Sequence, residues 1–395
     1  MRPGQARPTP QGMLFVLPWA VTAVGGVNQV VVNLMKQARR RETHRPILLE
    51  IDWNSATPVE VQGEEATIIR LRLPSPGSKS SPLRSLLGFL RRLPSTLQHL
   101  RRILDRHAIT VVNAHFPTQG ALNFCVLKAL GLYHGKLILS VHGLDIRNAL
   151  ASRGLERWLW KLLFRCADNV VACSDALRRD VLTLEPRCGP RAMTVHNGVD
   201  RQTIEARRDA RLSLPELEGV PYVLNVGRFE PKKGQDLLIA AFARLATEFP
   251  QLHLVLVGGS GDTLEALRAQ SEALGIAGRV HFHVDVPHER VPAFFARASV
   301  FCLPSRAEPF GIVLLEAALC RVPVVATRVG GVVEIVHDGV HGRLVAPEDP
   351  AALERALREL LTDRDLGERF AAAFYERVCT EFTWDRAFHR YLELI

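Results

Sequence analysis

The sequence lacks most of the features that mark specialised classes of protein. Its seven cysteines are scattered and never form a C-x-x-C pair, so buried thiols are expected rather than a disulfide scaffold or a zinc site. It contains no apolar run of about 18 residues, and no membrane-spanning helix is therefore predicted. It has no repeat of solenoid length. Its basic residues do not interleave with aromatic residues as in RNA-binding modules, so nucleic acid is not an expected partner.

The length and the apolar content predict two α/β domains. A chain of 395 residues is too long for one ordinary core. Strand-like and helix-like segments alternate along it, as they do in doubly wound sheets. Hydrophobic residues make up 47% of the chain. Continuous apolar runs, which are typical of parallel strands buried on both faces, occur at residues 110–112, 136–141, 170–173 and 254–257.

The N-terminal segment allows two interpretations. Arg2 and Arg7 precede an apolar stretch at residues 13–24, which is how a secretory signal peptide can look. In the other interpretation, residues 13–17 form the first strand of a sheet. We expect the strand, because no other nearby segment could supply it. Residues 1–11 are rich in Arg, Pro, Gln and Gly and are expected to form a disordered tail.

Positive charge is concentrated in the first half of the chain. Residues 1–200 carry 27 Lys and Arg against 14 Asp and Glu, a net charge of +13, whereas the remaining residues carry −4. Segment 79–107 combines arginines with leucines in a basic amphipathic pattern that favours an anionic membrane surface, and segment 153–165 is a second candidate. An ordinary surface helix with solvated arginines remains the alternative. The first segment contains Arg84, Arg91, Arg92, Arg101, Arg102 and Arg106, and the second contains Trp158, Trp160 and Phe164.

Two glutamates bracket a turn and the start of an apolar helix. Glu308 is followed by Pro309 and Gly311, and the apolar run at residues 312–319 contains Glu316. The backbone N–H groups at the start of such a helix attract an anion, and the two carboxylates can accept hydrogen bonds from hydroxyls. A nucleotide sugar, which has phosphates and many hydroxyls, fits that combination. Taken alone, the pattern also fits a helix start whose acidic residues are favoured by the helix dipole.

Two cations follow a predicted strand at residues 222–226. Arg228 comes directly after this strand in the segment N-V-G-R-F-E-P-K-K-G, and Lys233 follows five residues later. At the carboxyl end of a strand, a planar guanidinium and a compact ammonium can together bind a diphosphate. A D-x-D match that could hold a metal exists at Asp363 and Asp365. Its position at a predicted helix start favours capping, so no metal is expected.

Further motifs accompany these segments. In chain order the whole set is Gly25-Gly26, His142-Gly-Leu-Asp145, Ala172-Cys-Ser-Asp175, His196-Asn-Gly-Val-Asp200, Asn225 to Gly234, Leu254 to Asp262, Pro304 to Glu316, and Val322 to Glu334. Together these motifs are similar to those of the retaining glycosyltransferases of the GT-B fold, the large family-four group. The resemblance covers nearly the whole chain. It is dense from Val223 to Pro347 and looser before Asn197.

This resemblance implies an α/β protein of the GT-B fold, with two doubly wound Rossmann-like domains and a cleft between them. The acceptor-side domain is expected at residues 1–200 and the nucleotide-sugar-binding domain at residues 201–382. A last helix at residues 383–395 is expected to cross back to the first domain. The resemblance also implies retention of anomeric configuration, metal-independent chemistry and no cofactor.

The resemblance assigns roles to the charged residues. Arg228 and Lys233 would hold the diphosphate of the donor, whose charge grows as the sugar leaves. Glu308 would accept hydrogen bonds from the donor sugar, and Glu316 from the ribose. His142, which follows a predicted strand, matches a histidine close to the transferred sugar. We therefore expect His142, Glu308, Arg228 and Lys233 to form the catalytic set.

A second set of residues is expected to bind the donor. The loop with Gly25 and Gly26 would close over it, and Gly258 and Gly259 would let a loop approach the nucleotide closely. The backbone of the turn before the apolar helix would assist the sugar and the phosphate. The donor-binding residues are thus Gly25, Gly26, Gly258, Gly259, Phe310, Gly311, Ile312 and Glu316. His115 is a weaker candidate, for the acceptor.

The hypothesis that follows is a glycosyltransferase that uses a UDP- or GDP-sugar. Its acceptor would be lipid-linked or an oligosaccharide, in polysaccharide or glycolipid biosynthesis. It is expected in the cytoplasm, with peripheral attachment to the inner face of the cytoplasmic membrane as a further hypothesis. Two alternatives remain open: a sugar-nucleotide epimerase of the same fold, and a non-catalytic protein that binds nucleotide sugars.

Overall fold

The chain folds into two compact units. The computed structural model describes residues 11–23, 25–42, 44–77, 82–208 and 217–395. The first unit runs to His196 and is completed by Trp384–Ile395, and the second is Asn197–Thr383. The sequence predicts these boundaries after residues 200 and 382. Residues 1–10 of the expected disordered tail lie outside the described residues. Gln11, the last residue of that expected tail, instead begins a strand, because it pairs with His44.

The first unit is built on an eight-stranded sheet. Its strands are β1 (Gln11–Leu17), β2 (His44–Ile51), β3 (Val59–Gln62), β4 (Thr67–Leu71), β5 (Ile109–His115), β6 (Lys136–Val141), β7 (Asn169–Ala172) and β8 (Ala192–Thr194). Their spatial order is β3-β4-β2-β1-β5-β6-β7-β8, and among the described pairings only that of β3 with β4 is antiparallel. The winding direction therefore reverses between β1 and β5, which is where open α/β sheets bind ligands.

Strand β1 lies at the centre of this sheet, between β2 and β5. Met13, Leu14 and Phe15 are fully buried, because a central parallel strand is covered on both faces. The prediction that residues 13–17 form a core strand is confirmed.

Two of the helices of the first unit bear on the membrane hypothesis. The helices are α1 (Gly26–Arg40), α2 (Pro82–Arg106), α3 (Leu122–Ala129), α4 (Leu144–Ala151), α5 (Gly154–Cys166) and α6 (Asp175–Leu184). Leu87 and Leu90 are exposed on α2. On α5 only Trp158 of the three aromatic residues is exposed, whereas Trp160 and Phe164 are buried in the core. The amphipathic pattern of α5 is thus largely that of a helix packed on its own domain.

The second unit contains a six-stranded sheet in which all the described pairings are parallel. Its strands are β9 (Tyr222–Val226), β10 (His253–Gly258), β11 (Val280–Val284), β12 (Val300–Leu303), β13 (Val324–Thr327) and β14 (Arg343–Val345). The spatial order β11-β10-β9-β12-β13-β14 is the doubly wound order with its switch point between β9 and β12. At this point Asn225 Nδ2 donates to the carbonyl oxygen of Cys302 at 2.9 Å and ties the two strands together.

Helices cover both faces of the second sheet and complete the chain. They are α7 (Arg201–Arg208), α8 (Gln235–Glu248), α9 (Leu264–Ala273), α10 (Val291–Phe295), α11 (Ile312–Leu319), α12 (Val332–Ile335), α13 (Pro350–Thr362) and α14 (Arg364–Glu381), followed by α15 (Trp384–Leu392). Helix α15 belongs to the first unit. There Tyr391 Oη lies 2.9 Å from Ser140 Oγ, and Asp385 pairs with Arg41 at 2.6 Å.

Two further expectations concern the state of the cysteines and the presence of membrane-spanning helices. All seven cysteines are free thiols, and five of them are buried. Within the ranges that the structure describes, no helix is both long and apolar enough to cross a membrane.

Candidate active site

The predicted site residues of the second unit gather at the carboxyl edge of its sheet. Arg228 and Lys233 follow β9, Gly258 ends β10, and Glu308 follows β12. Because all six strands run parallel, their carboxyl ends share one edge. Arg228 and Lys233 therefore follow the strand on one side of the switch point, and Glu308 follows the strand on the other side.

Lys233 and Glu308 are in direct contact. Lys233 Nζ donates to Glu308 Oε2 at 2.6 Å, and Ser305 Oγ donates to the same oxygen at 3.3 Å. Glu308 is buried, with 8% of its surface exposed. The aliphatic part of Lys233 packs over Gly227, since a Cβ built on that glycine would lie 3.5 Å from Lys233 Cδ. The contact joins the loops after β9 and β12 across 75 positions of sequence.

Arg228 has a different environment from Lys233. Its side chain is 61% exposed, and its Nε lies 3.0 Å from Glu230 Oε1. An exposed ion pair of this kind contributes little to stability, so the guanidinium can leave Glu230 at low cost. Arg228 is therefore placed as a surface cation that a ligand can recruit.

The glycines after β10 bring two loops together. A Cβ on Gly258 would lie 2.0 Å from the carbonyl oxygen of Gly227, and one on Gly261 would lie 2.1 Å from that of Phe229. No side chain fits there, so these glycines are required by the packing of one loop on another. A Cβ on Gly259 would meet only atoms at ordinary contact distance, the nearest being Arg228 Cγ at 3.6 Å.

The turn before α11 requires unusual backbone conformations. Gly311 has a φ of 104° and precedes the first residue of the helix, Ile312. Phe310 is buried at 3% exposure, and its ring packs on that of Phe382 with centroids 6.1 Å apart. Gly330 has a φ of 48°, and a Cβ there would lie 2.0 Å from the carbonyl oxygen of Glu308. Close backbone packing therefore holds the segment around Glu308 in place.

Glu316 lies inside α11 and is paired with a histidine. Its Oε1 is 3.0 Å from Nε2 of His288, and only 4% of the residue is exposed. Burial lowers the pKa of His288, but its hydrogen bond to the Glu316 carboxylate and the charge of that carboxylate outweigh burial, and the pKa is raised overall. Sequence reasoning missed His288. The signal that could have found it is its position shortly after β11, at the same edge of the sheet as the other site residues.

Arg306 is a second residue that sequence reasoning missed. Its Nη1 and Nη2 each donate to a carboxylate oxygen of Asp236 at 2.7 Å, and Nη1 also donates to the carbonyl oxygen of Pro231 at 2.9 Å. Its Nε donates to Glu348 at 2.5 Å, and its backbone N–H donates to the carbonyl oxygen of Lys232 at 2.8 Å. These pairs raise the pKa of Arg306. Arg306 thus clamps the turn that carries Lys233 to the loop that carries Glu308.

In the first unit, the half-buried His142 contacts the buried His115 at the ends of β5 and β6. Its Nε2 lies 3.1 Å from Nδ1 of His115, and the two rings stack with centroids 5.3 Å apart. Burial lowers the pKa of His142 to about 4, and burial and the neighbouring His142 lower that of His115. Both imidazoles are therefore neutral near pH 7 and act as hydrogen-bonding groups. The weaker candidate, His115, is the direct neighbour of His142.

Asp145 holds the backbone of the His142 turn. Its carboxylate accepts hydrogen bonds from the N–H groups of His142, Gly143 and Ile146 at 2.7–2.9 Å. Burial raises the pKa of Asp145 to about 6, although these hydrogen bonds oppose the rise. The motif H-G-L-D is thus a side-chain-capped turn that places His142 at the end of β6.

Gly25 and Gly26 lie where the loop after β1 enters α1. Gly25 is extended, with a φ of 167°, and a Cβ on it would meet nothing within 4 Å. The loop is held by Asn28, whose Nδ2 donates to three loop carbonyls and whose Oδ1 accepts from Trp19 Nε1 at 2.6 Å. Packing therefore gives no reason for glycine at position 25, which is consistent with open space for a ligand.

Asp363, the first carboxylate of the D-x-D match, caps a helix. Asp363 caps α14 by accepting a hydrogen bond from the N–H of Leu366 at 2.9 Å, as the capping interpretation predicts. Across the described ranges, no group of three or more His, Cys, Asp or Glu side chains is arranged to hold a metal ion.

The sequence is similar to those of known glycosyltransferases. Residues 24–203 match the family described as Glycosyltransferase Family 4, and residues 207–377 match Glycosyl transferases group 1. A GDP-mannose-dependent alpha-(1-6)-phosphatidylinositol monomannoside mannosyltransferase of Mycolicibacterium smegmatis is 37% identical over 68% of this chain and 72% of its own. An alpha-maltose-1-phosphate synthase of the same organism is 32% identical over 75% of this chain and 81% of its own.

Solved structures show the same architecture. Sucrose-phosphate synthase from Thermosynechococcus elongatus aligns with a TM-score of 0.76 and 24% identity, covering 97% of this chain and 98% of that one. HepE of Anabaena, solved with UDP and glucose, aligns with a TM-score of 0.75 and 21% identity over the same shares. At these identities the likeness establishes the fold, which is GT-B. With both family matches and the mannosyltransferase similarity, the chain belongs to glycosyltransferase family 4.

Proposed function

We propose that this glycosyltransferase transfers a sugar from a UDP- or GDP-sugar to a hydroxyl of a lipid-linked or oligosaccharide acceptor. The observation that carries the proposal is the contact between Lys233 Nζ and Glu308 Oε2 at 2.6 Å. In a nucleotide sugar, the phosphate and the sugar are neighbouring groups. A cation suited to phosphate beside a carboxylate suited to hydroxyls matches that neighbourhood.

The relatives support this choice of donor and acceptor. The mycobacterial mannosyltransferase uses GDP-mannose and acts on a phosphatidylinositol monomannoside, which is a glycolipid. GDP-mannose is therefore the first donor to test for this chain, and UDP-glucose is the second. Neither the epimerase nor the non-catalytic binding protein finds support among the relatives, which are named as transferases and synthases.

Charge at the leaving group would be stabilised by side chains. As the bond between the anomeric carbon and the phosphate oxygen breaks, negative charge grows on the diphosphate. Arg228 is exposed and pairs with Glu230, and Lys233 lies in the short turn that follows. Two cations at one strand end can replace a divalent metal in this role, so the proposed reaction is metal-independent. The proposed reaction also uses no cofactor.

The proposed reaction retains the configuration of the anomeric carbon. The acceptor oxygen forms its bond to that carbon on the face from which the diphosphate leaves, and the hydroxyl proton passes to a phosphate oxygen. Glu308 is already bound by Lys233 and Ser305, which suits it to hold sugar hydroxyls rather than to attack. Neutral His142 would offer a hydrogen bond to the sugar without adding charge.

We also propose that the first unit docks on an anionic membrane surface. Leu87 and Leu90 are exposed at 67% and 51% on α2. Arg84 and Arg91 lie three and four residues from Leu87 and therefore share its face of the helix. Exposed leucines ringed by arginines are the pattern of an interfacial helix. A lipid-linked acceptor would be reached from such a position, at the cytoplasmic face of the membrane.

A transfer assay tests the proposed reaction. The purified protein is incubated with GDP-mannose or UDP-glucose, with phosphatidylinositol or oligosaccharide acceptors, and with excess EDTA. We expect product in EDTA, with the anomeric configuration of the donor as read by NMR coupling constants. An inverted product or a strict need for Mg²⁺ or Mn²⁺ would contradict the mechanism. Conversion of the donor without acceptor would favour the epimerase, and binding without turnover the non-catalytic protein.

A further inference from the structure

His288 is the side-chain partner of Glu316, and the proposed reaction gives it no role. It begins the short 3₁₀ turn His288–Arg290, which follows β11, whereas Glu316 lies on α11 after β12. The hydrogen bond of 3.0 Å between them joins elements 28 positions apart in sequence. The pair therefore links the turn after the outer strand β11 to the helix that carries Glu316.

Glu316 needs a partner because of its burial. Only 4% of the residue is exposed, and a buried carboxylate is costly unless it is hydrogen-bonded or paired with a cation. Among the described residues, the side chain that supplies this partner is His288. The carboxylate has about four lone-pair sites, and His288 contacts Oε1 only. Oε2 is left for another hydrogen-bond donor.

The charges around His288 come from three elements. Glu316 on α11 and Glu289 beside it in the turn are negative, while Arg207 on α7 is positive. Burial lowers the pKa of His288, and the two carboxylates outweigh burial and Arg207, so that the pKa is raised overall. With 37% of its side chain exposed, the imidazole remains in exchange with solvent.

We propose that His288 is a positioning residue of the donor site, which holds Glu316 through Oε1 and presents Oε2 to a ribose hydroxyl. This inference rests on the proposed function, in which Glu316 binds the ribose. In its protonated form His288 also compensates the charge of Glu316 and adds positive charge beside an anionic donor. Donor binding and protonation of His288 therefore favour each other.

This coupling fixes the sign of a pH effect. Because the bound donor favours the imidazolium, donor affinity is highest below the pKa of His288 and falls as the pH rises through it. If the donor raises that pKa by about one unit, Kd increases up to about tenfold between about pH 6 and about pH 8.5. His142 and His341 do not produce this effect, since their pKa is lowered to about 4.

The first experiment measures Kd by calorimetry across this pH range. The probe is GDP-mannose or UDP-glucose, whichever binds, because the phosphates of intact nucleotide sugars have no proton to lose in this range. His288→Gln keeps a hydrogen-bond donor for Glu316 but cannot be charged, so we expect near-wild-type Kd at high pH and a flat pH profile. His288→Ala should weaken binding at every pH. His389→Gln is the matched control, because His389 lies 3.9 Å from Glu393 in the first unit.

The second experiment follows His288 itself in the full chain. Histidine labelled at Cε1 is titrated by NMR, and the His288 signal is assigned from its loss in His288→Gln. We expect its pKa to fall in Glu316→Gln and to rise when the nucleotide sugar is added to wild-type protein. Neither shift is expected for His389.

The outcomes separate this inference from the proposed function. If wild-type protein binds neither nucleotide sugar, the proposed function is contradicted and the inference with it. If wild-type protein binds the donor but His288→Gln keeps the wild-type pH profile, only the inference is overturned. An unchanged His288 pKa on donor binding overturns it as well. A merely structural role would lower the melting temperature of His288→Gln without flattening the profile.

Discussion

Charged side chains at the carboxyl edge of the second sheet already hold partners within the protein. Lys233 is paired with Glu308, Arg228 with Glu230, and Glu316 with His288. The cations of the first two pairs differ in exposure. The side chain of Arg228 is 61% exposed, whereas that of Lys233 is 18% exposed. A donor would therefore recruit Arg228 easily, but it must share or displace the buried pair of Lys233.

This difference predicts distinct effects for the two cations. Arg228→Ala and Lys233→Ala should each lower kcat/KM by roughly two orders of magnitude, because each removes a charge that stabilises the leaving diphosphate. Arg228→Ala should leave the melting temperature unchanged. Lys233→Ala should lower stability by about 1–3 kcal/mol, since it leaves the buried Glu308 with a weak hydrogen bond from Ser305. Steady-state kinetics and thermal unfolding measure the two effects.

Lys232→Ala is the matched control for this pair of variants. Lys232 is adjacent in sequence and pairs with Glu230 at 2.7 Å, and its side chain is 40% exposed. The Lys232→Ala variant removes the same charge from the same turn and leaves the contact between Lys233 and Glu308 in place. Near-wild-type turnover in both Arg228→Ala and Lys233→Ala would remove the two cations from the reaction.

At the scale of elements, the position of Lys233 depends on how two loops are joined. Arg306, in the loop after β12, makes four hydrogen bonds to Pro231, Lys232 and Asp236 after β9, and a fifth to Glu348 after β14. A bidentate guanidinium–carboxylate pair fixes orientation as well as distance. The geometry of the Lys233–Glu308 contact should therefore depend on Arg306, which touches neither side chain.

Arg306→Gln should lower kcat/KM about 10- to 100-fold, because a displacement of roughly 1 Å at reacting groups can have that effect. Arg343→Gln is the control. It breaks another bidentate pair of the same unit, Arg343 with Glu359 on α13, whose partners are exposed to a similar extent. We expect both variants to lose similar stability and only Arg306→Gln to lose activity. Equal kinetic losses in the two would show that general destabilisation is responsible.

The sequence predicts some elements to the residue and misses others for a physical reason. The strands Tyr222–Val226 and Lys136–Val141 and the helix Ile312–Leu319 are confirmed at both ends, and each is a mainly apolar segment that begins directly after a Gly or a Pro. His288 and Arg306 were missed because their partners Glu316 and Asp236 lie 28 and 70 positions away. The local sequence pattern carries no information about pairs of residues that lie so far apart in the chain.

The same limit applies to α5 and to the roles of the site residues. Periodicity shows that α5 is amphipathic, but only the tertiary structure shows that Trp160 and Phe164 face the core of the first unit. The roles of Arg228, Lys233 and Glu308 stay predictions, since proximity of charges shows what could bind and not what does. Family and fold could be predicted because they rest on many residues at once.

At the scale of the whole molecule, charge is divided between the two halves of the chain. Residues 1–200 carry a net charge of +13 and the rest −4. This asymmetry would help a protein with a lipid-linked acceptor. An anionic membrane would attract the positive half of the chain and leave the negative half free to bind a soluble donor. The charge is useful only near the surface, since it is screened over roughly 10 Å at 0.1 M salt.

Membrane docking should depend on the patch on α2 formed by Arg84, Leu87, Leu90, Arg91 and Arg92. The wild-type protein should bind vesicles that contain phosphatidylglycerol, ignore vesicles of phosphatidylcholine alone, and dissociate as salt is raised. Replacing the three arginines with glutamine should weaken binding by about 3 kcal/mol, since each basic residue near an anionic surface contributes on the order of 1 kcal/mol. Leu87→Gln with Leu90→Gln should weaken binding even at low salt, because burial of each leucine contributes about 1.5–3 kcal/mol.

The control replaces Arg355, Arg364 and Arg369, exposed on α13 and α14 of the second unit, with the same loss of charge. Equal weakening in the control would show that net charge rather than the patch drives binding, and wild-type protein that ignores anionic vesicles at low salt would exclude docking.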